Sequence, residues 1–310
     1  MGLPITPQMF GALADGSRDD TAAVNNAIAQ GVQSGRNVYI PTGTYKLTSP
    51  INVFLQNLKD PVTGASSVGG ITIYGDGGGS TLSFVTSPSP YNGSLFVVSD
   101  TTLNAGKGYF GFRLKDLHIA GATADTDSGG NPIAALQLGD NSLYTQLNAC
   151  NFTGLSIQNG AGPGVTTGPA LLLNCVLQST IEGVFDSSSY GGTAGLRMRN
   201  GYFNRISASP GAGPSGIAIH ITSSNANISN VFLSPDCENT GTGVTIDSSG
   251  AQGNVFVAPY FTGSSLGNTM LYGINVTAGG DQSPQRFIQP YYGVVTTHVQ
   301  NQHNAVIEST

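Results

Sequence analysis

Tryptophan is absent from this 310-residue chain, charged residues make up only 9% of it, and cysteine occurs three times. So little charge excludes disorder driven by self-repulsion, and 39% hydrophobic residues are enough to bury a core. The 11 lysines and arginines are scattered and the net charge is −6, which argues against a nucleic-acid partner. No apolar run reaches the length of a bilayer, so membrane insertion is not expected. The first ten residues carry no basic-then-apolar signal peptide, and the expected location is extracellular or in a virion. Cys150, Cys175 and Cys237 are odd in number and fit no zinc spacing, so they read as small buried fillers. The run Ala124 to Gly130 has acids spaced like a calcium loop, but its closing glutamate is missing and Leu136 stands near that place. No metal and no cofactor is expected.

What the chain has in abundance is glycine, 44 in all, beside serine, threonine and asparagine. That composition suits many short strands joined by tight turns. One helix is predicted near the start. Val24, Ala27, Ile28 and Val32 recur at helical spacing, Asp19 or Asp20 can cap it, and Gly31 and Gly35 help to end it. Two short strands follow, Asn37 to Pro41 and Thr42 to Tyr45. The string from Met9 to Leu47 resembles the N-terminal cap of the pectate-lyase-like superfamily, which includes polygalacturonase-type enzymes and phage tailspikes. The resemblance implies an all-β right-handed parallel β-helix with an N-terminal capping α-helix. Residues 1–47 form the expected cap and residues 48–310 one continuous coil.

The body repeats. A small residue followed by alternating apolar positions recurs at Ala135, Ala170, Gly195, Gly216, Gly243 and Gly273, in steps of 35, 25, 21, 27 and 30 residues. A second line runs through Leu117, Leu155, Val184, Ile206, Val231, Val255 and Arg286. Two interleaved lines imply at least two stacked parallel sheets. Asp60 to Gly70 and Ala122 to Asn131 read as projecting loops. No capping helix is evident at the end of the sequence, so a subunit or further chain is expected to cover the last coil.

Three late segments align: Val231 to Glu238, Val255 to Thr262 and Arg286 to Gly293. Unbroken alternation places Leu233, Val257, Ile288, Cys237, Phe261 and Tyr292 inward. It places Phe232, Phe256, Phe287, Asp236, Tyr260 and Tyr291 outward, with Glu238 beside Asp236. Phe185 joins the same phenylalanine ladder, which a loop or a neighbouring subunit is expected to cover. Glycoside hydrolysis needs two carboxyls, and aromatic rings suit the apolar faces of sugars. Asp236 and Glu238 are therefore the first catalytic candidates, Glu182 and Asp186 the next, including a cross-coil pair of Glu182 with Asp236. Tyr260 and Tyr291 are expected to bind substrate. Arg199, His220 and Asp247 form a second candidate column for substrate binding, and Arg197 or Arg199 suits a substrate carboxylate.

The resemblance implies carbohydrate chemistry, yet the polygalacturonase motifs do not carry over. Asp19 and Asp20 belong to the cap, no Gly-His-Gly occurs, and Arg205 and Ile206 are followed by Ser207. The tryptophan-bearing pectate lyase pattern is impossible here. The expectation is a tailspike-like homotrimer that binds and hydrolyses a bacterial surface polysaccharide. The alternatives are a non-catalytic receptor-binding spike and a lyase of a uronic-acid polymer acting through Arg199 and His220.

Overall fold

The computed structural model describes residues 2–58, 70–85, 90–100, 108–140, 145–160, 165–187, 191–222, 226–263, 269–279 and 283–308. The chain winds as a right-handed parallel β-helix. A 12-stranded sheet forms what we term the front wall, a 13-stranded sheet the back wall, and a narrow 3-stranded sheet turns the corner between them over the late coils. The predicted loop over residues 60–70 lies outside the described residues except for Gly70.

Each wall is built by stacking like on like. On the back wall Leu136, Leu171, Leu196, Ile219, Val244, Ile274 and Val299 are register partners in successive coils. On the front wall the column runs Leu114, Phe152, Ile181, Ile206, Phe232, Phe256, Phe287 and Ile307. The phenylalanine rings of this column are fully buried, and its last three stack at 4.4 and 4.6 Å, nearly parallel. Burying such a ring contributes about 1.5–3 kcal/mol, so this column is a main source of cohesion between coils.

The phenylalanine ladder is therefore inside, not outside as unbroken alternation requires. Leu233, Val257 and Ile288 are half-exposed instead. The reason is one backbone bend per coil. Ser234, Ala258 and Gln289 take left-handed φ of 44°, 46° and 51°, each followed by proline. The bend shifts the alternation by one residue, so Phe232 points in and Asp236, two positions beyond the bend, points out.

A second polar column holds the opposite corner. Asn204 Nδ2 donates to Asn230 Oδ1 (2.9 Å), Asn230 Nδ2 to Asn254 Oδ1 (2.9 Å) and Asn254 Nδ2 to Gln285 Oε1 (2.8 Å). The same oxygens also accept the backbone amides of Asn204, Asn230 and Asn254, and the second amide protons go to the carbonyls of Val176, Gly201 and Asn227. These buried amides thus satisfy the turn backbone that no strand can reach.

At the start, the helix Thr21–Ser34 lays Val24, Ala27, Ile28 and Val32 on the first coil and ends at Gly35 with φ 63°. Asp19, not Asp20, accepts the Thr21 amide, at 3.0 Å. Asp20 occupies the cap position but turns its carboxylate to the amides of Leu13 and Ala14. Gly31 does not end the helix. It lets the helix approach Val38, whose Cγ2 would stand 2.4 Å from an added Cβ. In the last coil Val295, Val299, Ala305 and Ile307 are only partly buried against the core.

Candidate functional site

The strand Arg205–Gly211 alternates Ile206, Ala208 and Pro210 inward, leaving Arg205, Ser207, Ser209 and Gly211 on the outer face. The strand Thr180–Asp186 before it presents Glu182, Val184 and Asp186, paired with Ser207, Ser209 and Gly211. The coil after it presents Leu233, Asp236 and Glu238. Small outer side chains between two rows of larger ones make a trough one coil wide. It consists of three adjoining depressions of about 310, 240 and 160 Å³. Arg205 and Glu182 line the first, Ser207, Ser209 and Ser234 the second, and Asp186, Asp236, Glu238 and Gly211 the third. The trough follows the strand, across the coil axis, for about 20 Å at ~3.3 Å per residue.

Register places the acids. Asp236 and Glu238 of the following coil line the same depression as Ser209, Pro210 and Gly211. Asp186 pairs with Gly211 from the other side. Asp186 and Glu238 therefore face each other across a residue without a side chain. The coils that carry them are two strand spacings apart, about 9.6 Å between backbones. Of the four acid candidates, Asp186, Asp236 and Glu238 come together. Glu182 lies further along the same trough, and the expected pairing of Glu182 with Asp236 is replaced by Asp186 in that place.

Asp236 is half-buried, and its Oδ1 is buried without a hydrogen-bond partner. Desolvation pushes its carboxyl above the ordinary value. Glu238 is exposed, yet partial desolvation and then the neighbouring Asp236 charge push it upward as well. Tyr260 and Tyr291 continue from Asp236 along the coil axis as register partners. Their rings stack at 4.9 Å and 5°, and both are exposed. The acids thus stand where an axial aromatic strip meets a transverse trough.

The second candidate column lies on the back wall with a different register. His220 pairs with Arg197 and Thr245, not with Arg199 and Asp247. The irregularity between Gly213 and Ile217 shifts this coil by two residues against the repeat read from sequence. His220 still reaches Asp247 diagonally, Nε2 to Oδ2 at 2.9 Å. Burial opposes the Asp247 charge, but the hydrogen bond and charge of His220 outweigh it and hold the carboxyl below its ordinary value. Arg199 is half-buried on the next position of its strand, where desolvation and then Arg197 lower its pKa. Arg197 is held by Asp125 at 3.0 Å, and Thr193 donates to the same carboxylate oxygen at 2.7 Å. This long-range tie gave no sequence signal, because Asp125 reads as part of a loop.

Among the described residues, no three histidine, cysteine or acidic side chains gather into a metal site. Asp127 instead accepts the amides of Gly129 and Asn131. The three cysteines are buried and free, and burial pushes the thiol of Cys150 up to about 12 and that of Cys175 to about 11. No described helix is long and apolar enough to cross a membrane.

The family described as rhamnogalacturonase A/epimerase, pectate lyase-like, matches residues 8–245. A probable glucan endo-1,3-beta-glucosidase of Arthroderma benhamiae is 46% identical over 52 residues, which is 14% of this chain and 6% of that protein. Among solved structures, a DFA-IIIase variant from Arthrobacter chlorophenolicus A6 in complex with DFA-III aligns over 97% of this chain and 85% of its own, at 12% identity and a TM-score of 0.53. The tailspike of Acinetobacter baumannii phage AM24 aligns over 100% of this chain and 54% of its own, at 12% identity and a TM-score of 0.38.

Proposed function

Because this chain belongs to the rhamnogalacturonase A/epimerase, pectate lyase-like family, we propose that it depolymerises a polysaccharide by glycosidic hydrolysis at the corner where its trough meets its tyrosine strip. The observation that carries this reading is the meeting of Asp186, Asp236 and Glu238 in one depression around Gly211. Desolvation raises the pKa of both Asp236 and Glu238, the direction that suits a group delivering a proton to the glycosidic oxygen. Asp186 faces them across the trough and takes a proton from the attacking water. The water oxygen bonds to the anomeric carbon as the leaving sugar departs with the delivered proton. Inversion needs a carboxyl separation of ~6.5–9.5 Å, and side chains reaching toward each other from backbones two strand spacings apart can meet it. Tyr260 and Tyr291 offer a platform for a sugar on one side of the scissile bond.

The setting we propose is a tailspike-like homotrimer on a virion tail, attaching to a bacterial surface polysaccharide. The resemblance of the cap to phage tailspikes supports it. The buried phenylalanine ladder withdraws the argument from exposed aromatics, and sedimentation of the purified chain tests the trimer directly. A second reading, a lyase of uronic-acid polymers, is favoured by the 2.9 Å contact of His220 with Asp247 beside Arg199.

The test is product formation on capsule, O-antigen and exopolysaccharide preparations. New reducing ends of inverted anomeric configuration, lost in Asp236→Asn, Glu238→Gln and Asp186→Asn, are expected. Ultraviolet absorbance from unsaturated sugars, lost in His220→Gln instead, would transfer the chemistry to the back wall. Binding without product would leave a receptor-binding spike.

A further inference from the structure

The corner that the buried amide column holds from within bears a ridge on its outside. Phe110, Asn148, Leu177, Tyr202, Ile228 and Gln252 are register partners in successive coils. They form one column along the coil axis, about 24 Å long over five strand spacings. The next residue of each coil is left-handed: Gly111, Ala149, Gln178, Phe203, Ser229 and Gly253 have φ between 48° and 68°. Each turn is thus sharp, and the hydrogen-bonded amides of Asn204, Asn230 and Asn254 fix it from behind. Neither column holds a charged side chain. Phe110 is 50% exposed and Phe203 59%, the latter the most exposed large apolar side chain among the described residues of the coil.

Phe203 stands out on two counts. A bulky side chain is disfavoured at left-handed φ, and glycine, which takes this turn at Gly111 and Gly253, is not. More than half of the ring faces solvent, so the folding of one chain gains little from it. A contact outside the chain accounts for both. The ridge is apolar, charge-free and repeats once per coil. A parallel copy of the same ridge matches it at every step, which a partner of different architecture does not. Its area, roughly a few hundred Å² for a strip ~24 Å long, falls below the ~800 Å² that each partner of a stable pair buries. Around a three-fold axis each ridge serves two neighbours, and three contacts hold one assembly. Resting on the homotrimer proposed above, we infer that this ridge is the trimer seam. Three copies stand side by side with parallel coils, and Phe110 and Phe203 each meet their own equivalents near the axis, as central aromatic anchors.

The test is sedimentation equilibrium of the whole chain across a wide concentration range, for wild type, Phe203→Asp, Phe203→Asn, Phe110→Ser and Leu271→Ser. Leu271 is exposed to a similar degree but lies on the back wall, off the ridge. Wild type and Leu271→Ser should form trimers. The three ridge variants should need at least about tenfold more protein to assemble. Phe203→Asn also separates a seam from a structural role, because asparagine tolerates left-handed φ. At concentrations where both are monomeric, it should melt no lower than wild type, and an earlier melt would make the ring structural and overturn the seam. A wild-type trimer that Phe203→Asp leaves intact would overturn the seam and leave the homotrimer standing. Equal dissociation by Leu271→Ser would do the same. A wild-type chain that stays monomeric or stops at a dimer would overturn both. Reducing-end formation by the same samples reports on the hydrolase reading separately.

Discussion

The trough and the back wall share strand spacing and handedness, yet treat their charges in opposite ways, although elsewhere on the front wall Arg286 pairs with Glu308. On the back wall Arg197 is paired with Asp125 and His220 with Asp247, each within 3.0 Å. In the trough no ion pair holds Asp236, Glu238 or Arg205 among the described residues, and one oxygen of Asp236 is buried without a partner. Paired charges stabilise a wall and leave little for a ligand. Unpaired, partly desolvated charges are held in an unfavourable state that a ligand can relieve. The contrast supports the proposal of the trough as the reactive surface and of the back-wall cluster as a brace.

The largest test of that contrast is catalytic. Glu238→Gln or Asp236→Asn should lower the rate of reducing-end formation by about 10²–10⁴-fold, the range for a lost general acid or base. His220→Gln and Asp247→Asn should leave it within twofold, and a reversed pattern in this assay would exchange the roles of the walls. Next is Gly211, whose φ is not among the left-handed ones, so a side chain there meets no backbone strain. Gly211→Leu should block the space between Asp186 and Glu238 and reduce kcat/KM by about 10²-fold through misplaced substrate. Its melting temperature should stay near that of wild type. A variant that melts early would show the floor to be structural.

A third test concerns the amide column beneath both walls. Asn230→Ala removes hydrogen bonds to Asn204, Gly201 and Asn254 and leaves buried partners unsatisfied. A loss of about 3 kcal/mol in denaturant unfolding is expected. A loss below about 1 kcal/mol would mean that water replaces the amide.

The smallest effects have opposite signs on the two walls. Asp236 has a raised carboxyl pKa, so its contribution to stability is present below the unfolded value and is lost as pH rises through the folded one. Asp236→Asn should therefore be slightly more stable than wild type at pH 7, an advantage that disappears below about pH 4. Asp247 has a lowered pKa, and its contribution is present at neutral pH and lost as pH falls through the folded value. Asp247→Asn should lose at most about 1 kcal/mol at pH 7, because its carboxylate is partly exposed, and less in acid. Thermal melts of both variants across pH 3–7 check the pair, and shifts of the same sign would erase the distinction.

The coil, its cap and the outward placement of Asp236, Glu238, Tyr260 and Tyr291 were legible in the sequence, because apolar alternation and repeat spacing are local signals. The phenylalanine ladder was misplaced because alternation counts residues and cannot see that Ser234, Ala258 and Gln289 turn left-handed. The register of the Arg199, His220, Asp247 column was misjudged for a related reason, since two extra residues between Gly213 and Ile217 slip it, though the His220–Asp247 contact survives diagonally. The trough itself had no signal at all. It arises from the smallness of Ser207, Ser209 and Gly211 relative to coils on either side, a comparison that needs the stacking to be known.

Among the described residues, that trough owes its depth to side chains and to no loop or lid. It is carved by the outer side chains of a single rung, while Ile206, Ala208 and Pro210 of the same rung face the core and hold it in place. Recognition and cohesion are thereby written on alternate residues of one strand. Outward side chains at positions such as 205, 207 and 209 can be exchanged while the inward text, and so the ability to fold, stays intact.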